Sequence, residues 1–314
     1  TIDGLTIEEK WIKSVNTGNF PEELNACVSA RSMAAYNGNV YILERASETD
    51  CSLLEFNGET GAYIKTISLS GDIYTCTTGK IAGWNHQPGN CIFADGAGNL
   101  YISSLTVTTE TKPLTVCSVD ISSGNTTKIF EADLTSSSYR IDYSNAFNDV
   151  TTTGGQIWAA TTTNKVFRWT RNSDGSWTEA STTINGYYPS DATSLGTAPS
   201  IQPISSSQFI VDGASTHPTL YSFNSGGNAT LVNSFANNAA IQPTNTNYNG
   251  TYSITIGSTP LFIYVDDNNN GGGHSFSIVA NKHNFDFSSQ NWIIVNFFRK
   301  FVDEFDYSFC HCIT

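Results

Sequence analysis

The fold of this chain is decided by the stretch Cys91–Leu134, which reads CIFADGAGNLYISSLTVTTETKPLTVCSVDISSGNTTKIFEADL. It contains four short apolar runs (CIFA, NLYISS, LTVCSVD and TTKIFEA), each bounded by Gly, Asp, Asn, Ser or Thr-Lys-Pro. Short runs rich in Val, Ile, Tyr and Thr, separated by turn residues, are typical of strands joined by hairpins. Gly96 and Gly98 supply glycine where a tight hairpin needs a positive φ. The stretch therefore predicts a four-stranded antiparallel meander of about 45 residues, the size of one propeller blade.

The same unit recurs along the chain, and its second strand is the easiest part to recognise. In each copy a polar residue or proline precedes three apolar residues. The central residues of these strands lie 60, 57, 52 and 52 positions apart, and they are Tyr41, Tyr101, Trp158, Ile210 and Phe262. A third strand, a second turn and a fourth strand follow each of them. Copies that keep the same order of strands and turns at a similar spacing predict a repeat fold.

Repeated four-stranded units bury their faces on one another and avoid open edges by closing into a β-propeller. Residues 289–314 and 1–27 belong to no complete copy, and together they have about the length of one more blade. Glu9–Val15 resembles the fourth strand of a unit. We therefore predict an all-β, six-bladed β-propeller of four-stranded antiparallel blades, with the last blade closed by the N-terminal strand. A seven-bladed or incompletely closed propeller is the alternative. The predicted single domain, 1–314, has blades at 28–70, 87–134, 144–184, 197–236, 250–288, and 289–314 with 1–27.

The C-terminal residues 291–314, NWIIVNFFRKFVDEFDYSFCHCIT, contain two conflicting patterns. Phenylalanines recur every four residues from Phe297 to Phe309, which is a helical period. Closure of the propeller instead requires strands here, and Trp292–Val295 can supply one. Beyond Asn296 we expect strand rather than helix, because closing a blade needs more than one inner strand.

Composition limits the classes of partner. The formal net charge is −13 and only 14% of the residues are charged, against a usual value of about 25%. This charge, with no Lys/Arg cluster, argues against binding to nucleic acid or to an anionic membrane. No run of 18 apolar residues is present, so the sequence predicts no membrane span. A surface of Thr, Ser, Asn and Gly favours an extracytoplasmic protein, at the cell surface or in the periplasm, and we expect a monomer.

Seven cysteines are scattered along the chain. Their odd number leaves at least one thiol without an intramolecular partner. We interpret Cys91 and Cys117, which lie inside predicted strands, as buried side chains that behave as small hydrophobes. The pairing of the others stays open.

A candidate binding face comes from the long loops that enter the innermost strands, by analogy with other propellers. Aromatic side chains beside Asn, Asp, Arg and His suit sugars, whose faces stack on aromatic rings and whose hydroxyls need paired donors and acceptors. The candidate ligand-binding residues are Trp84, His86, Tyr139, Arg140, Asp142, Tyr187, Tyr188, Asp191 and Tyr248. We predict that Trp84, Arg140, Tyr187 and Tyr188 share one face. The alternative is that the aromatics only pack these loops onto the blades.

Two further patterns concern chemistry. Asp142, Asp191 and Asp212 could pair for acid/base work, or they could be turn residues. Asp266, Asn268 and Asn270 match the start of a calcium loop, which needs oxygen ligands at alternate positions and a glycine for the sharp turn. The terminal glutamate of such a loop is missing, since Ser277 occupies its position. The alternative is a solvated hairpin loop, and no other cofactor is predicted.

The copies containing Gly-Asn-Leu-Tyr-Ile-Ser, Phe-Asn-Gly-Glu-Thr-Gly and Arg-Asn-Ser-Asp-Gly-Ser-Trp resemble the propeller superfamily that includes quinoprotein-like and NHL-type domains. More narrowly, the chain up to about Ser288 resembles secreted or lipid-anchored propellers of gut Bacteroidetes that lack an assigned activity. The resemblance implies an extracytoplasmic setting, at a surface that handles glycans or other polymers. It carries over no catalytic residue.

Three functions follow from these patterns. The leading hypothesis is a non-catalytic module that binds a glycan or a protein partner through one loop face. The second is an enzyme, a polysaccharide lyase or glycoside hydrolase, on the same scaffold. The third is a structural subunit of a cell-surface complex. Paired carboxylates in a deep pocket would favour the enzyme, and a shallow aromatic rim would favour binding.

Overall fold

The computed structural model describes residues 11, 13, 19–27, 29–75, 86–106, 113–132, 134, 140–187, 193–196, 198–213, 215–234, 251–256, 259–268, 273–280 and 293–297. For residues 25, 86, 217, 233 and 234, and for all those from 251 onward, only the backbone is described. These ranges contain one short helix, α1 (Glu22–Asn25), a 3₁₀ turn (Asp72–Tyr74) and 21 strands in five sheets. The chain is all-β, and its four-stranded antiparallel sheets are those of β-propeller blades.

The first sheet is a simple meander with the order β1-β2-β3-β4. Its strands are β1 (Ala30–Tyr36), β2 (Asn39–Ser47), β3 (Asp50–Asn57) and β4 (Tyr63–Ser68). The two middle strands are buried along most of their length, whereas β4 is mostly exposed. Burial on both faces explains why the middle strands read as nearly continuous apolar runs, such as Val40–Leu43.

Residues near the N-terminus cover one face of this first sheet. Trp11 and Leu24 pack against a buried cluster formed by Val40, Ile42, Leu54 and Phe56. The Trp11 indole N–H also donates a hydrogen bond of 2.8 Å to the carbonyl of Gly58. Trp11 and Lys13 are the described residues of the predicted strand Glu9–Val15, and neither lies in a strand. The rest of that segment lies outside the described residues, so its pairing with a last blade stays a prediction.

The second sheet contains five strands in the order β5-β9-β8-β7-β6. They are β5 (Ser70–Gly71), β6 (His86–Ala94), β7 (Leu100–Thr106), β8 (Leu114–Val119) and β9 (Asn125–Ala132). Four of them form the meander predicted from the sequence, and the short β5 adds to β9 in parallel. A buried cluster that includes Leu43, Leu53, Ile92 and Ile102 joins this sheet to the first.

Backbone groups also hold the short β5, which directly follows the first sheet in the chain, at the turn where β8 leads into β9. The Ser70 N–H donates to the carbonyl of Gly124 at 3.0 Å. Gly124 has a φ of +74°, and a Cβ added there would clash with the carbonyl oxygen of Ser68. The equivalent turn of the fourth sheet makes the same kind of link, because the Gly226 N–H donates to the carbonyl of Ser181 at 2.8 Å.

The two turns give a matched test of this link. Gly226 has a φ of +71° and nothing within 4 Å of an added Cβ. Gly226→Ala should therefore lower the unfolding free energy by about 1 kcal/mol, which is only the cost of holding an alanine at a positive φ. Gly124→Ala carries the same cost and also clashes with the backbone at Ser68, so we expect a total loss of about 2–3 kcal/mol. Urea denaturation of both variants measures the difference, and equal losses would show that the Ser68 contact relaxes without cost.

The third and fourth sheets repeat the meander, with the orders β10-β11-β12-β13 and β14-β15-β16-β17. The third contains β10 (Ser144–Phe147), β11 (Gln156–Ala160), β12 (Lys165–Arg171) and β13 (Trp177–Thr183). The fourth contains β14 (Ser200–Pro203), β15 (Gln208–Gly213), β16 (Thr216–Ser222) and β17 (Thr230–Ser234). Trp158, Phe209 and Tyr221 are among the largest fully buried side chains here.

The fifth sheet corrects one boundary predicted from the sequence. Its order is β18-β19-β20-β21, with β18 (Thr251–Ile256), β19 (Thr259–Asn268), β20 (Gly273–Ala280) and β21 (Ile293–Phe297). The predicted strand at Trp292–Val295 therefore exists, but it pairs antiparallel with β20 as the fourth strand of this sheet. The sequence predicts instead a blade that ends at residue 288 and places residues 289–314 in a further blade. The pairing with β21 satisfies the backbone N–H and carbonyl groups on the outer side of β20, which would otherwise be an open sheet edge.

All five of the central residues used to detect the repeat lie on the second strand of their meander, namely β2, β7, β11, β15 and β19. The predicted phase of the repeat is therefore confirmed. The six-blade count stays a prediction, as does the strand character of residues 298–314, which lie outside the described residues.

The chain divides into two compact units. One comprises Thr1–Glu9, Trp158–Trp169 and Thr178–Ser308, and the other Lys10–Ile157, Thr170–Trp177 and Phe309–Thr314. The first and second sheets belong to the second of these units. The fourth and fifth sheets belong to the first.

Candidate functional site

Three of the nine candidate ligand-binding residues have described side chains. Arg140 and Asp142 lie in the unit that holds the first two sheets, and Tyr187 lies in the other unit. His86 begins β6, where only its backbone is described. The residues outside the described part are Trp84, Tyr139, Tyr188, Asp191 and Tyr248. Their shared face with Arg140 and Tyr187 therefore stays a prediction.

Arg140 and Asp142 form a bidentate ion pair just before β10. The Arg140 Nη2 and Nε atoms lie 2.7 and 3.1 Å from Asp142 Oδ1, and Nε lies 3.0 Å from Oδ2. The Asp142 side chain is 4% exposed and that of Arg140 is 35% exposed. The hydrogen bonds to Asp142 raise the pKa of Arg140 above its ordinary value, although burial opposes them. The Asp142 carboxylate is therefore held by a cation on both of its oxygens.

Asn90 connects this ion pair to the start of the second sheet. It is a buried residue of β6, directly before the apolar run CIFA. Its Nδ2 donates a hydrogen bond of 2.6 Å to the main-chain carbonyl of Asp142. This bond fixes the orientation of the amide, because the oxygen must then point the other way.

Two arginines of the first sheet converge on that amide oxygen. Arg31, on β1, places Nη2 at 2.9 Å and Nε at 3.1 Å from Asn90 Oδ1. Arg45, on β2, places Nη1 at 3.1 Å from the same atom. Both arginines are half-buried. In the part of the chain that the structure describes, no carboxylate forms an ion pair with either guanidinium.

We call Arg31, Arg45, Asn90, Arg140 and Asp142 the basic cluster. Burial, and then the neighbouring charge of Arg31, lower the pKa of Arg45 to about 10. The Arg140–Asp142 pair is neutral overall, so the two arginines on Asn90 leave about two positive charges facing a neutral acceptor. Guanidinium groups pair most strongly with carboxylate or phosphate oxygens. The basic cluster can therefore bind an anionic oxygen of a ligand, such as one from a carboxylate or a phosphate.

The thiol nearest to the cluster does not add a nucleophile. Cys51 pairs with Arg45 across β2 and β3, and its side chain is buried. Burial raises the pKa of Cys51 to about 11, although the charge of Arg45 opposes it. At neutral pH the group is a protonated thiol. The other described cysteines, Cys27, Cys91 and Cys117, are also free thiols whose pKa is raised, mainly by burial.

The other unit contains two further candidates. Tyr187 is half-buried, and its buried hydroxyl has no hydrogen-bond partner among the described residues. Burial raises the pKa of Tyr187 to about 12. Asp212 on β15 is fully buried and accepts a hydrogen bond from the hydroxyl of Ser200. Its carboxylate is therefore engaged within the sheet.

The calcium candidates fall on a hairpin. Asp266 and Asn268 lie in β19, where they pair with Ser275 and Gly273 of β20. Asn270 lies outside the described residues. Among the side chains that are described, no group of three or more His, Cys, Asp or Glu could hold a metal ion. The calcium site stays a prediction.

No family model matches the chain, and no curated protein matches it. Several solved structures are similar to it. An α-L-arabinanase from Cellvibrio cellulosa, complexed with arabinohexaose, is 9% identical at a TM-score of 0.42, over 81% of this chain and 92% of that chain. An exo-1,5-α-L-arabinanase from a bovine ruminal metagenomic library is 11% identical at a TM-score of 0.46, over 85% of this chain and 96% of that chain. The periplasmic gluconolactonase of Pseudomonas aeruginosa is 9% identical at a TM-score of 0.42, over 80% of this chain and 68% of that chain.

Similarity at this level transfers neither an activity nor a substrate to this chain. The narrower resemblance to secreted or lipid-anchored propellers stays a prediction as well. Within the described residues, no helix has the length and apolar character needed to cross a membrane.

Sequence reasoning found Arg140 and Asp142 but missed Arg31, Arg45 and Asn90. The missed residues lie inside or at the start of strands, whereas the search concentrated on loops. A usable signal was present, because the chain has only 15 Lys and Arg residues and two of them interrupt the first two strands of the first sheet. Cationic residues inside half-buried strands are uncommon unless they have a partner or a ligand.

Proposed function

We propose that this chain is an extracytoplasmic ligand-binding β-propeller protein that holds a glycan at the basic cluster. The observation that carries the proposal is the convergence of Arg31 and Arg45 on the neutral amide oxygen of Asn90. Two half-buried cations directed at a neutral acceptor leave unsatisfied binding capacity. Arg31 and Asn90 also lie on the first strands of successive meanders, beside the loops that carry ligands in other propellers by analogy.

The described carboxylates favour binding over hydrolysis. A glycoside hydrolase needs two carboxyl groups, one of which donates a proton. Both oxygens of Asp142 are bonded to Arg140, and Asp212 accepts a hydrogen bond from Ser200. Neither is placed to act as a free acid. The small fraction of charged residues, 14%, and a sequence rich in Ser, Thr and Asn support a saccharide as the ligand.

A glycoside hydrolase on the same scaffold is the second candidate. The feature that favours it is the buried carboxylate of Asp142, a residue whose main-chain carbonyl is bonded to Asn90 in the basic cluster. A carboxylate there could stabilise positive charge that develops on a sugar. Hydrolysis assays should include arabinan, because arabinanases are among the similar solved structures.

The proposal is tested by screening the protein against a glycan array and measuring affinity for the best ligand by calorimetry. Arg45→Ala removes one guanidinium, and we expect affinity to fall about tenfold or more, because a hydrogen bond to a charged group contributes about 1.5–3 kcal/mol. Lys65→Ala is the matched control, since it removes one positive charge from the exposed strand β4. It should change affinity by less than about twofold.

Three outcomes decide between the candidates. Selective loss in Arg45→Ala supports a binding site at the basic cluster. Unchanged affinity in both Arg45→Ala and Arg31→Ala places the ligand elsewhere and contradicts the proposal. Release of reducing sugar from a polysaccharide that ceases in Asp142→Asn favours the hydrolase.

A further inference from the structure

We propose that the group bound at the basic cluster is a single carboxylate on a saccharide, a uronic acid, and that Asn90 determines this selectivity by remaining neutral. This inference rests on the proposed function and specifies the chemical class of its ligand. It concerns the same five residues, of which Asn90 was not among the sequence-based candidates.

At the basic cluster, the N–H donors of Arg31 and Arg45 outnumber the lone pairs of the Asn90 amide oxygen that accept from them. Three N–H groups, two from Arg31 and one from Arg45, converge on Asn90 Oδ1. An amide oxygen offers two lone pairs, and each guanidinium carries five N–H groups. Among the described contacts, Arg31 has one further acceptor, the Ser29 hydroxyl at 3.5 Å. The amide therefore holds the two arginines side by side without neutralising them.

Asn90 is suited to this role because its amide cannot turn over. Rotation by 180° would direct its NH₂ group at two guanidiniums and its oxygen at the carbonyl of Asp142. The 2.6 Å hydrogen bond from Nδ2 to that carbonyl prevents this. The Arg140–Asp142 pair in turn holds the Asp142 segment in place. A ligand carboxylate can then accept from the remaining N–H groups of Arg31 and Arg45 while Asn90 stays where it is.

Charge distinguishes a single carboxylate from a polyanion. Two guanidiniums can compensate one carboxylate with some excess. The chain as a whole has a net charge of −13, which repels ligands that carry many negative charges at long range. A saccharide with one uronic acid presents one anion and otherwise neutral hydroxyls. An acidic peptide or a sulfated polymer brings further charge that this chain does not compensate.

The probe is a disaccharide with one uronic acid, compared with its methyl ester, which keeps the sugar and removes the charge. Calorimetry at low and at moderate salt should show that the acid binds about tenfold or more tightly than the ester, and that salt reduces this difference. Equal affinity for acid and ester would overturn the carboxylate inference and leave the proposed function standing. Equal affinity for triglutamate would overturn the assignment to a saccharide. Failure of wild-type protein to bind any saccharide would overturn the proposed function itself.

Variants at Asn90 test the selectivity. Asn90→Asp places a carboxylate inside the cluster, and we expect it to abolish the preference for the acid over the ester. Asn90→Ser keeps a neutral oxygen and should retain the preference. A merely structural Asn90 would instead make both variants lose acid and ester equally. Circular dichroism checks folding, and Arg45→Gln provides a second route if Asn90→Asp does not fold. Arg45→Gln should also lose the preference for the acid, and its retention would overturn the inference.

Discussion

Replacing Trp158 with alanine is expected to lower the free energy of unfolding by about 3–5 kcal/mol, the usual cost of truncating a fully buried aromatic side chain. Trp158 lies on β11 and has no exposed surface. Its ring centroid lies 5.6 Å from that of Phe209 and 5.3 Å from that of Phe223. The second contact is nearly perpendicular, at 80°, which is a favourable arrangement for two aromatic rings.

The loss should be large because Trp158 also supports a half-buried cation. The Arg168 guanidinium lies 5.6 Å from the Trp158 ring centroid and 4.3 Å from that of Phe223. Removing the indole would leave a cavity and withdraw part of the environment that stabilises this charge. Urea denaturation measures the effect, and Val232→Ala is the control, because Val232 is 44% exposed and should change stability by less than about 0.5 kcal/mol. A Trp158→Ala loss below about 1 kcal/mol would contradict the packing described here.

Replacing Asp95 with alanine should cost about 3–5 kcal/mol, because it leaves several buried donors without their charged acceptor. Asp95 lies in the turn between β6 and β7 and is 8% exposed. It accepts main-chain hydrogen bonds from Ala97 and Asn99, at 3.0 and 2.8 Å. The hydroxyl of Tyr101 donates to it at 3.0 Å, and the main-chain N–H of Val150 donates at 3.1 Å.

The Val150 contact makes Asp95 more than a local turn residue. It joins the second sheet to the segment that precedes β11, so we expect Asp95→Ala to increase hydrogen exchange at the Val150 amide as well as to lower global stability. Asp174→Ala is the control, since Asp174 also accepts hydrogen bonds in a hairpin turn but is exposed. It should have a clearly smaller effect. Equal losses in the two variants would show that burial of Asp95 does not matter.

The sequence predicts the blades well because strand and turn signals are local. Period-two patterns and glycine-containing turns identify each meander, and the second strands are found without error. The partner of the last strand was predicted wrongly for a physical reason. Strand propensity shows that Ile293–Phe297 can form a strand but does not specify which neighbour it pairs with.

The candidate site is harder to predict because it is assembled from distant residues. Arg31 and Asn90 are separated by 59 positions, and Arg45 and Asn90 by 45. Asp142 is a further 52 residues along the chain. No local pattern records such contacts, whereas Arg140 and Asp142 are two positions apart in one loop and were therefore found together.

The links at Gly124 and Gly226 bear on how such a chain can arise. Both are made by main-chain N–H and carbonyl groups, which every residue except proline supplies. A duplicated blade could therefore make this joint whatever side chains it carries, provided the turn keeps a residue that tolerates a positive φ, as Gly124 and Gly226 both do.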